Sequence, residues 1–274
     1  MGVEKMTVNI LATLNSNYLK PLKIMLKSLF FNNRKLDFAI YVMHSSLTED
    51  EIRDLRRYVE GKGHQLHSIR IGSDVFHDAP VLPHYTKEMY YRLLAFKFLP
   101  EEMERILYLD PDILVINSVE ELYKMDLDGY LYAAAYHDLP PVKEINKIRL
   151  NQYEMDAYYN SGVLLMNLEL QRRLIDEREI FDFVRENRAK LIMPDQDIMN
   201  ALYSKRIKTL DEVIYNYDVR YYSLYKLRSG GEYDMDFIFK NTVFLHFCGK
   251  KKPWRKNYSG RFHSVYKHYE YLDY

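Results

Sequence analysis

The chain has 274 residues, and its hydrophobic fraction of 47% is large enough for a sizeable buried core. Acidic and basic side chains balance at 39 each, so net charge gives no reason to expect a nucleic-acid partner. The single cysteine, Cys248, excludes a disulfide within the chain and is typical of a reducing compartment. The N-terminus lacks the apolar stretch of a signal peptide, and no apolar run approaches the roughly 20 residues of a membrane span. We therefore expect a cytoplasmic protein.

Strand and helix patterns alternate along the N-terminal quarter of the chain. Residues 7–13 form a short β-rich run, residues 18–31 carry an apolar stripe with helical spacing, and residues 37–43 repeat the strand pattern. A capping box beginning at Thr48 predicts a second helix, and a third strand follows over residues 64–71. This alternation predicts an α/β fold with a mostly parallel sheet and helices on both of its faces.

The remaining predicted elements extend one domain over residues 1–254. In chain order they are a helix over 87–98, strands over 105–109, 113–116, 131–136 and 162–167, helices over 170–186 and 197–203, and a last strand over 241–247. Between Tyr203 and that last strand the sequence is tyrosine-rich and irregular. Residues 255–274 follow as a C-terminal tail rich in basic and aromatic side chains.

Two aspartates, Asp110 and Asp112, follow the predicted strand over residues 105–109, and Pro111 between them stiffens the pair. In open α/β sheets, ligands bind beyond the carboxyl ends of the strands. Both carboxylates can therefore reach one hard cation such as Mn²⁺ or Mg²⁺, which would neutralise a departing diphosphate. A solvated turn is the competing interpretation, and the pair alone does not decide between them.

Two further segments offer groups for a metal and a diphosphate. His246 ends a predicted strand, where it could give a nitrogen ligand or be an ordinary core histidine. Gly249 allows close approach of the backbone to phosphate, and the lysines at 250–252 supply positive charge. Arg92, on a predicted helix, could bind phosphate, orient a carboxylate or form a surface ion pair.

Two other segments offer groups for a sugar. Asn160 and Ser161 precede a predicted strand, where they could bind hydroxyls or form a plain turn. Asp195 is a candidate N-cap of the helix that follows, and this structural role competes with a functional one. Gln196 would then face outward from the start of the helix, where it could lie beside a reacting carbon.

The order of these motifs along the chain resembles glycosyltransferase family 8. The motifs are Tyr-x-Arg-Leu at 90–93, Leu-Asp-Pro-Asp at 109–112, Asn-Ser-Gly-Val-Leu-Leu-Met-Asn-Leu at 160–168, Asp-Gln-Asp at 195–197, His-Phe-Cys-Gly at 246–249 and Lys-Pro-Trp at 252–254. The resemblance covers about residues 7–255. Bacterial lipopolysaccharide galactosyltransferases and glucosyltransferases carry a similar set, and glycogenin is a more distant member.

The resemblance implies a GT-A fold, a single Rossmann-like nucleotide-sugar-binding domain with a C-terminal helical extension. It also implies a retaining, Mn²⁺-dependent transfer from UDP-galactose or UDP-glucose to a glycan or lipid-linked acceptor, with Mg²⁺ as the alternative ion. By motif match the metal ligands are Asp110, Asp112 and His246. The other implied contacts are Gly249 and Lys252 with the diphosphate, Arg92, Asp138, Asn160, Ser161, Asp195 and Gln196 with the donor sugar, and Thr13, Asn15, Asn17 and Tyr18 with uridine. Asp195 and Gln196 are the implied catalytic pair.

One position departs from the family pattern. Asn15 stands where sugar transferases of this family often carry an aspartate against the uracil. An asparagine amide can still pair with the uracil edge, because it both donates and accepts hydrogen bonds. Uridine therefore remains the expected nucleoside.

Three rival functions are compatible with parts of the sequence. A nucleotidyl- or phosphoryl-transferase also uses paired aspartates, but it would need a glycine-rich loop, and residues 11–18 contain no glycine. A non-catalytic sugar-nucleotide binder would carry the same motifs. A self-glucosylating enzyme like glycogenin would use one of the 26 tyrosines as its acceptor.

The tail over residues 255–274 has two interpretations. Its mixture of basic and aromatic side chains is typical of a segment that lies on a membrane surface, where a lipid-linked acceptor would be. The alternative is a helix packed on the domain or on a partner subunit.

Overall fold

The computed structural model describes residues 5–72, 75, 89–137, 140–150, 155 and 157–274. Its strands are β1 (Thr7–Thr13), β2 (Asp37–His44), β3 (Gln65–Arg70), β4 (Arg105–Leu109), β5 (Ile113–Val115), β6 (Tyr132–Ala135), β7 (Val163–Asn167), β8 (Ile207–Leu210), β9 (Tyr217–Asp218) and β10 (Phe244–His246). Its α-helices are α1 (Leu19–Asn32), α2 (Glu49–Glu60), α3 (Met89–Leu93), α4 (Glu120–Tyr123), α5 (Pro140–Leu150), α6 (Leu168–Leu174), α7 (Glu177–Asn187), α8 (Pro194–Tyr203), α9 (Glu212–Tyr215), α10 (Tyr222–Arg228), α11 (Met235–Asn241) and α12 (His263–Tyr271).

Seven strands form one sheet in the order β3-β2-β1-β4-β7-β6-β8. The pairs β3-β2, β2-β1, β1-β4 and β6-β8 are parallel, whereas β7 runs antiparallel to both of its neighbours. A smaller sheet joins β5, β10 and β9. The carboxyl ends of β1 and β4 and the beginning of β7 therefore lie at one edge of the large sheet, as the predicted α/β fold requires.

The strand sequences explain why helices cover both faces of the large sheet. Alternate side chains of a strand point to opposite faces, and in β4 both sets are apolar and buried. Ile106 and Tyr108 join the hydrophobic cluster that contains α8 residues, while Leu107 and Leu109 join the cluster that contains α1 residues. Transferring apolar side chains of this size out of water contributes about 1.5–3 kcal/mol each.

The predicted helix over residues 170–186 is wrong, because the structure has two helices, α6 and α7, in this stretch. Ile175 and Asp176 are extended between them, and the Asp176 carboxylate accepts a hydrogen bond from Arg178 N at 2.9 Å. An aspartate that caps a new helix ends the previous one, although the apolar spacing continues through both.

Three more differences concern other helices. The stretch after Tyr203 is not irregular, because Asp211 and Asp234 cap the short helices α9 and α11. The predicted helix over residues 87–98 is described only from Met89, and from there it is α3 followed by a 3₁₀ turn over Ala95–Lys97. Helix α5 was not predicted, because its exposed isoleucines leave a weak apolar stripe.

The C-terminal tail ends in helix α12, which packs on α1. Tyr266 and Tyr269 are buried in a cluster with Ile24 of α1, and Lys27 Nζ donates a 2.7 Å hydrogen bond to Leu272 O. Of the two interpretations of the tail, this packing corresponds to the helix packed on the domain. The domain boundary at residue 254 stays a prediction. Among the described residues, no helix combines the length and apolar character needed to cross a bilayer.

Candidate active site

Asp110, Asp112 and His246 come from distant parts of the chain and meet at the edge of the sheet. His246 Nε2 lies 3.3 Å from Asp112 Oδ1 and 3.9 Å from Asp110 Oδ2. One ligand atom from each of the three residues lies within 4.8 Å of the others. This spacing lets all three atoms reach a single divalent cation.

Backbone pairing holds the three segments in register. Asp110 N donates a 2.8 Å hydrogen bond to Gly162 O, which joins the end of β4 to the start of β7. Phe247 N donates a 3.0 Å hydrogen bond to Asp112 O, next to the antiparallel pairing of β10 with β5. The aspartates and the histidine are thus held together by the two sheets and not by the loops alone.

Gly162 makes room for this cluster. A Cβ atom at position 162 would lie 2.3 Å from His246 Cε1 and 2.8 Å from Asp110 Oδ2. Both distances are shorter than van der Waals contact, so any larger residue would displace a candidate metal ligand. Gly162 was not predicted as a site residue.

Asn216 orients the imidazole of His246. Its Oδ1 lies 2.8 Å from His246 Nδ1, and its Nδ2 donates a 2.9 Å hydrogen bond to Asn160 Oδ1. Because the Asn216 oxygen accepts, Nδ1 carries a proton, and Nε2 is the nitrogen that faces the two carboxylates, where a cation could replace the Nε2 proton. Asn216 is fully buried. It was not predicted, because it lies in a segment without a recognisable motif.

Arg92 links the acidic pair to the segment that carries Asp195. Its guanidinium lies 3.1 Å from Asp110 Oδ1 and 2.9 Å from Asp195 Oδ2, and it donates a 3.0 Å hydrogen bond to Ser161 O. Tyr108 OH donates a further 2.6 Å hydrogen bond to Asp110 Oδ1. Arg92 is therefore not in a surface ion pair, since it orients two carboxylates at the site.

Of the two roles considered for Asp195, the N-cap of α8 is wrong. The N-cap residue is Met193, whose side chain makes no capping hydrogen bond, and Pro194 begins the helix. The Asp195 carboxylate instead accepts a 3.0 Å hydrogen bond from Ser161 Oγ and pairs with Arg92. Proline at the first helical position fixes the start of the helix without a capping side chain, which frees Asp195 for these contacts.

Gln196 does not face outward, as the sequence analysis expected. Its side chain is buried with 6% exposure, and its Oε1 accepts hydrogen bonds at 3.3 Å from Asn160 Nδ2 and from Ser161 N. The reason is that the first turn of α8 faces the start of β7. Gln196 therefore belongs to the same polar network as Asn160 and Ser161.

Lys252 and Gly249 line the same cleft as the aspartates, and Lys252 Nζ is hydrogen-bonded to Asp112 Oδ2. Burial alone would raise the pKa of Asp112, but His246 and Lys252 hold it well below its usual range. This active-site cleft has a volume of about 440 Å³. Its lining includes Arg92, Asp110, Asp112, Asn160, Ser161, Asp195, Gln196, His246, Gly249 and Lys252.

The residues expected to contact uridine make contacts with different parts of the chain. Thr13 Oγ1 lies 3.3 Å from the hydroxyl of Tyr108, next to Asp110. Asn15 Oδ1 accepts a 3.1 Å hydrogen bond from Asn17 N at the start of a 3₁₀ turn, and the ring of Tyr18 meets Trp254 edge-on with centroids 5.8 Å apart. Their role toward uridine stays a prediction. Asp138, the remaining expected sugar contact, lies outside the described residues.

His137 also lines the active-site cleft and was not predicted. Its Nδ1 lies 2.7 Å from Glu212 Oε2, and its Nε2 lies 3.6 Å from Asp218 Oδ2. Burial would lower the pKa of His137, but hydrogen bonds with Cys248 and Glu212 and the charge of Asp218 raise it to about 9. The imidazolium form is therefore stable at neutral pH.

The mostly parallel sheet, the Asp-x-Asp pair after β4 and the His-x-x-Gly segment from β10 together define a sugar-transferring enzyme of the α/β class. The chain belongs to glycosyl transferase family 8, whose family model matches residues 9–258. The resemblance found in the sequence is thus confirmed over nearly the whole chain.

Similar proteins cover this chain almost completely. A lipopolysaccharide 1,2-glucosyltransferase of Escherichia coli is 28% identical over 261 residues, which are 92% of this chain and 74% of that protein. General stress protein A of Bacillus subtilis strain 168 is 24% identical and covers 96% of this chain and 92% of its own length. The crystal structure of galactosyltransferase LgtC with donor and acceptor sugar analogs superposes with a TM-score of 0.80 at 21% identity, covering 96% and 95% of the two chains. The expected GT-A fold is confirmed by this similarity.

Proposed function

We propose that this family 8 enzyme is a retaining hexosyltransferase that moves galactose or glucose from a UDP-sugar to a glycan or lipid-linked acceptor. The observation that carries the proposal is the meeting of Asp110, Asp112 and His246 at one point, with His246 Nε2 facing both carboxylates. The similarity to a lipopolysaccharide glucosyltransferase and to a galactosyltransferase crystallised with donor and acceptor sugar analogs supports hexose transfer.

The residues at the site fit a divalent cation. Carboxylate oxygens and one imidazole nitrogen are ligands that Mn²⁺ accepts, and Mg²⁺ accepts the oxygens. The clearance over Gly162 and the hydrogen bond from His246 to Asn216 leave the three ligand atoms directed at a common point. Asp110, Asp112 and His246 would hold the ion, which when bound supplies positive charge to the donor diphosphate.

Lys252 and Gly249 would stabilise the leaving UDP. The Lys252 ammonium lies beside Asp112, and Gly249 lines the same active-site cleft. Negative charge grows on the diphosphate as the bond to the sugar breaks, so these donors bind the transition state more tightly than the ground state.

Retention of configuration is proposed to follow from attack on the face that UDP leaves. Gln196 is the polar side chain expected beside the reacting carbon, and an amide is a poor nucleophile. The Asp195 carboxylate is engaged by Arg92 and Ser161, which suits it to orient the donor sugar. The acceptor hydroxyl would then give its proton to the departing phosphate oxygen as the sugar passes through an oxocarbenium-like state. Detection of a glycosyl adduct on any side chain by mass spectrometry would contradict this pathway.

A donor screen tests the proposed function. Incubation with each UDP-sugar and Mn²⁺ should release UDP slowly from UDP-galactose or UDP-glucose, and chelation of the ion should stop the release. Asp110→Ala, Asp112→Ala and His246→Ala should each abolish Mn²⁺-dependent turnover, because each removes one ligand. Asp236→Ala, at an exposed position away from the cleft, is the matched control. Full activity of His246→Ala would show that the site is not built as proposed.

The same assay separates the two rival functions. Binding of a UDP-sugar without any hydrolysis or transfer would identify a sugar-nucleotide binder. A mass increase of the protein by one or more hexoses would identify self-glucosylation on a tyrosine.

Cytoplasmic location and a peripheral contact of the tail with the inner face of the membrane stay predictions. Helix α12 buries Tyr266 and Tyr269 against the domain, while Tyr271 keeps 78% exposure and Lys256 is exposed. The outward side chains are thus the ones available to a membrane surface. Sedimentation with anionic vesicles that is unchanged by Lys256→Gln and Tyr271→Ala would count against the contact.

A further inference from the structure

The lysine run at 250–252 is divided between two clefts. Lys252 points to Asp112 in the active-site cleft. Lys250 and Lys251 instead line a second cleft of about 490 Å³, together with Arg220 and Arg261. We call this second cavity the basic cleft. The donor diphosphate therefore accounts for only one of the three lysines.

Positive charge in the basic cleft is only partly compensated. The described lining holds these four cations and no carboxylate. Arg220 is paired with Asp218, but Lys250 and Lys251 have neither an ion pair nor a hydrogen bond within the described part of the chain. Arg261 lies over the ring of Tyr222, 4.4 Å from its centroid. A concave surface with this charge attracts an anionic group.

The basic cleft adjoins the active-site cleft. Arg220, Cys248 and Gly249 line both cavities. Gly249 has φ of +84°, and a Cβ atom there would lie 2.8 Å from an Arg220 guanidinium nitrogen. Arg220, Cys248 and Gly249 therefore form the shared border of the two clefts, and a molecule larger than one sugar can extend from one cleft to the other.

We propose that the basic cleft binds a phosphoryl group carried by the acceptor, next to the sugar that receives the hexose. The proposal rests on the proposed function, since it assigns the substrate class of that transfer. A phosphoryl group carries nearly two negative charges at neutral pH and accepts several hydrogen bonds, which suits two lysines and an arginine. Tyr258 in the same lining offers an aromatic ring to the adjoining sugar.

The test compares a phosphorylated sugar with its neutral counterpart. Galactose 6-phosphate and galactose are titrated by ligand-detected NMR into protein saturated with Mn²⁺ and UDP, so that the donor side is already filled. The wild type should bind galactose 6-phosphate roughly tenfold more tightly than galactose, as expected for a few charge-assisted contacts. The double variant Lys250→Gln and Lys251→Gln should reduce this preference to within about threefold.

The controls separate the outcomes. Lys35→Gln with Lys240→Gln removes the same charge at exposed positions outside the basic cleft and should keep the preference. Equal binding of the two sugars by the wild type, or an unchanged preference in the double variant, would overturn the proposal. Loss of binding to phosphatidylglycerol vesicles in the double variant, without any sugar-phosphate preference, would overturn it in favour of a membrane surface.

The assay also distinguishes failure of this inference from failure of the proposed function. UDP release from the donor sugar in water does not require an acceptor, so the double variant should release UDP at the wild-type rate. A protein that releases no UDP from any donor and yet prefers the sugar phosphate would refute hexose transfer and leave the phosphoryl site intact.

Discussion

At the scale of single residues, the site depends on groups that do not touch the proposed cation. Asn216 fixes the ring of His246, and Arg92 fixes the carboxylates of Asp110 and Asp195. Such supporting contacts decide whether ligand atoms point at one position before an ion arrives. They also restrict each ligand to one rotamer, so less entropy is lost when the site is filled.

Asn216→Ala should weaken Mn²⁺ binding without removing a ligand. Loss of a group that orients a ligating histidine typically lowers metal affinity about 10–100-fold, so turnover should return at high Mn²⁺ concentration. The measurement is UDP release as a function of Mn²⁺ concentration. Asn241→Ala, which removes a 2.9 Å hydrogen bond within α11, is the control and should leave the curve unchanged. A curve for Asn216→Ala that matches the wild type would refute the orienting role.

Gly162→Ala should lower turnover roughly 100-fold although it adds a single methyl group. The new Cβ atom would lie 2.3 Å from His246 Cε1 and 2.8 Å from Asp110 Oδ2, so at least one of the two must move. A displacement of about 1 Å at a reacting site costs on the order of 100-fold in rate. Turnover is measured together with the thermal unfolding temperature, because a folded variant with lowered turnover is the expected result. Activity within a few-fold of the wild type would show that the clearance is not needed.

Sequence motifs identified the residues with distinctive chemistry but not their supports. Asp110, Asp112 and His246 were predicted because each follows or ends an apolar strand in a family-like motif. Asn216 was missed because a buried asparagine between two short elements has no spacing that marks it. Gln196 was placed on the wrong side of its helix because the orientation of α8 depends on contacts with β7, which are not local in sequence.

At the scale of elements, strands were predicted more accurately than helices. Strands β1 and β4 have the predicted bounds, since each is a short run rich in β-branched and apolar residues. The boundary between α6 and α7 depends on one capping aspartate, Asp176, within an uninterrupted amphipathic pattern. Periodicity reports which face of a helix is buried, but it does not report a change in helix direction.

Helix α12 should contribute to the stability of the domain through its inner face. Tyr266 has 1% exposure and packs against Phe247 with ring centroids 5.5 Å apart, so Tyr266→Ala should lower the free energy of unfolding by about 3–5 kcal/mol. Tyr271→Ala, on the outer face with 78% exposure, should change it by less than about 0.5 kcal/mol. Urea unfolding followed by tryptophan fluorescence gives both values, since Trp254 lies 6.1 Å from Tyr266. Equal effects of the two substitutions would mean that the tail is not part of the folded domain.

At the scale of the whole molecule, the site forms only when the large and small sheets are both in place. Asp110 follows a strand of the large sheet, whereas His246 ends a strand of the small one. The parallel part of the large sheet could be predicted from the alternation of strand and helix patterns in the sequence. The antiparallel insertion of β7 and the existence of the small sheet could not be predicted, because pairing between distant short strands leaves no local pattern in a single sequence.

The free energy of unfolding should carry a pH dependence from His137, which lies where the two sheets meet the cleft. Its pKa is about 9 in the folded protein and about 6.5 in an unfolded chain, where no partner holds it. Between these values the folded state keeps a proton that the unfolded state has released, so stability falls as pH rises. The contribution is fully present below pH 6.5, is lost as pH passes about 9, and amounts to at most about 3 kcal/mol. Urea unfolding of the wild type and of His137→Gln should therefore differ most near pH 6 and least near pH 9.5. A constant difference across this range would show that His137 is not held as an imidazolium by Glu212 and Asp218.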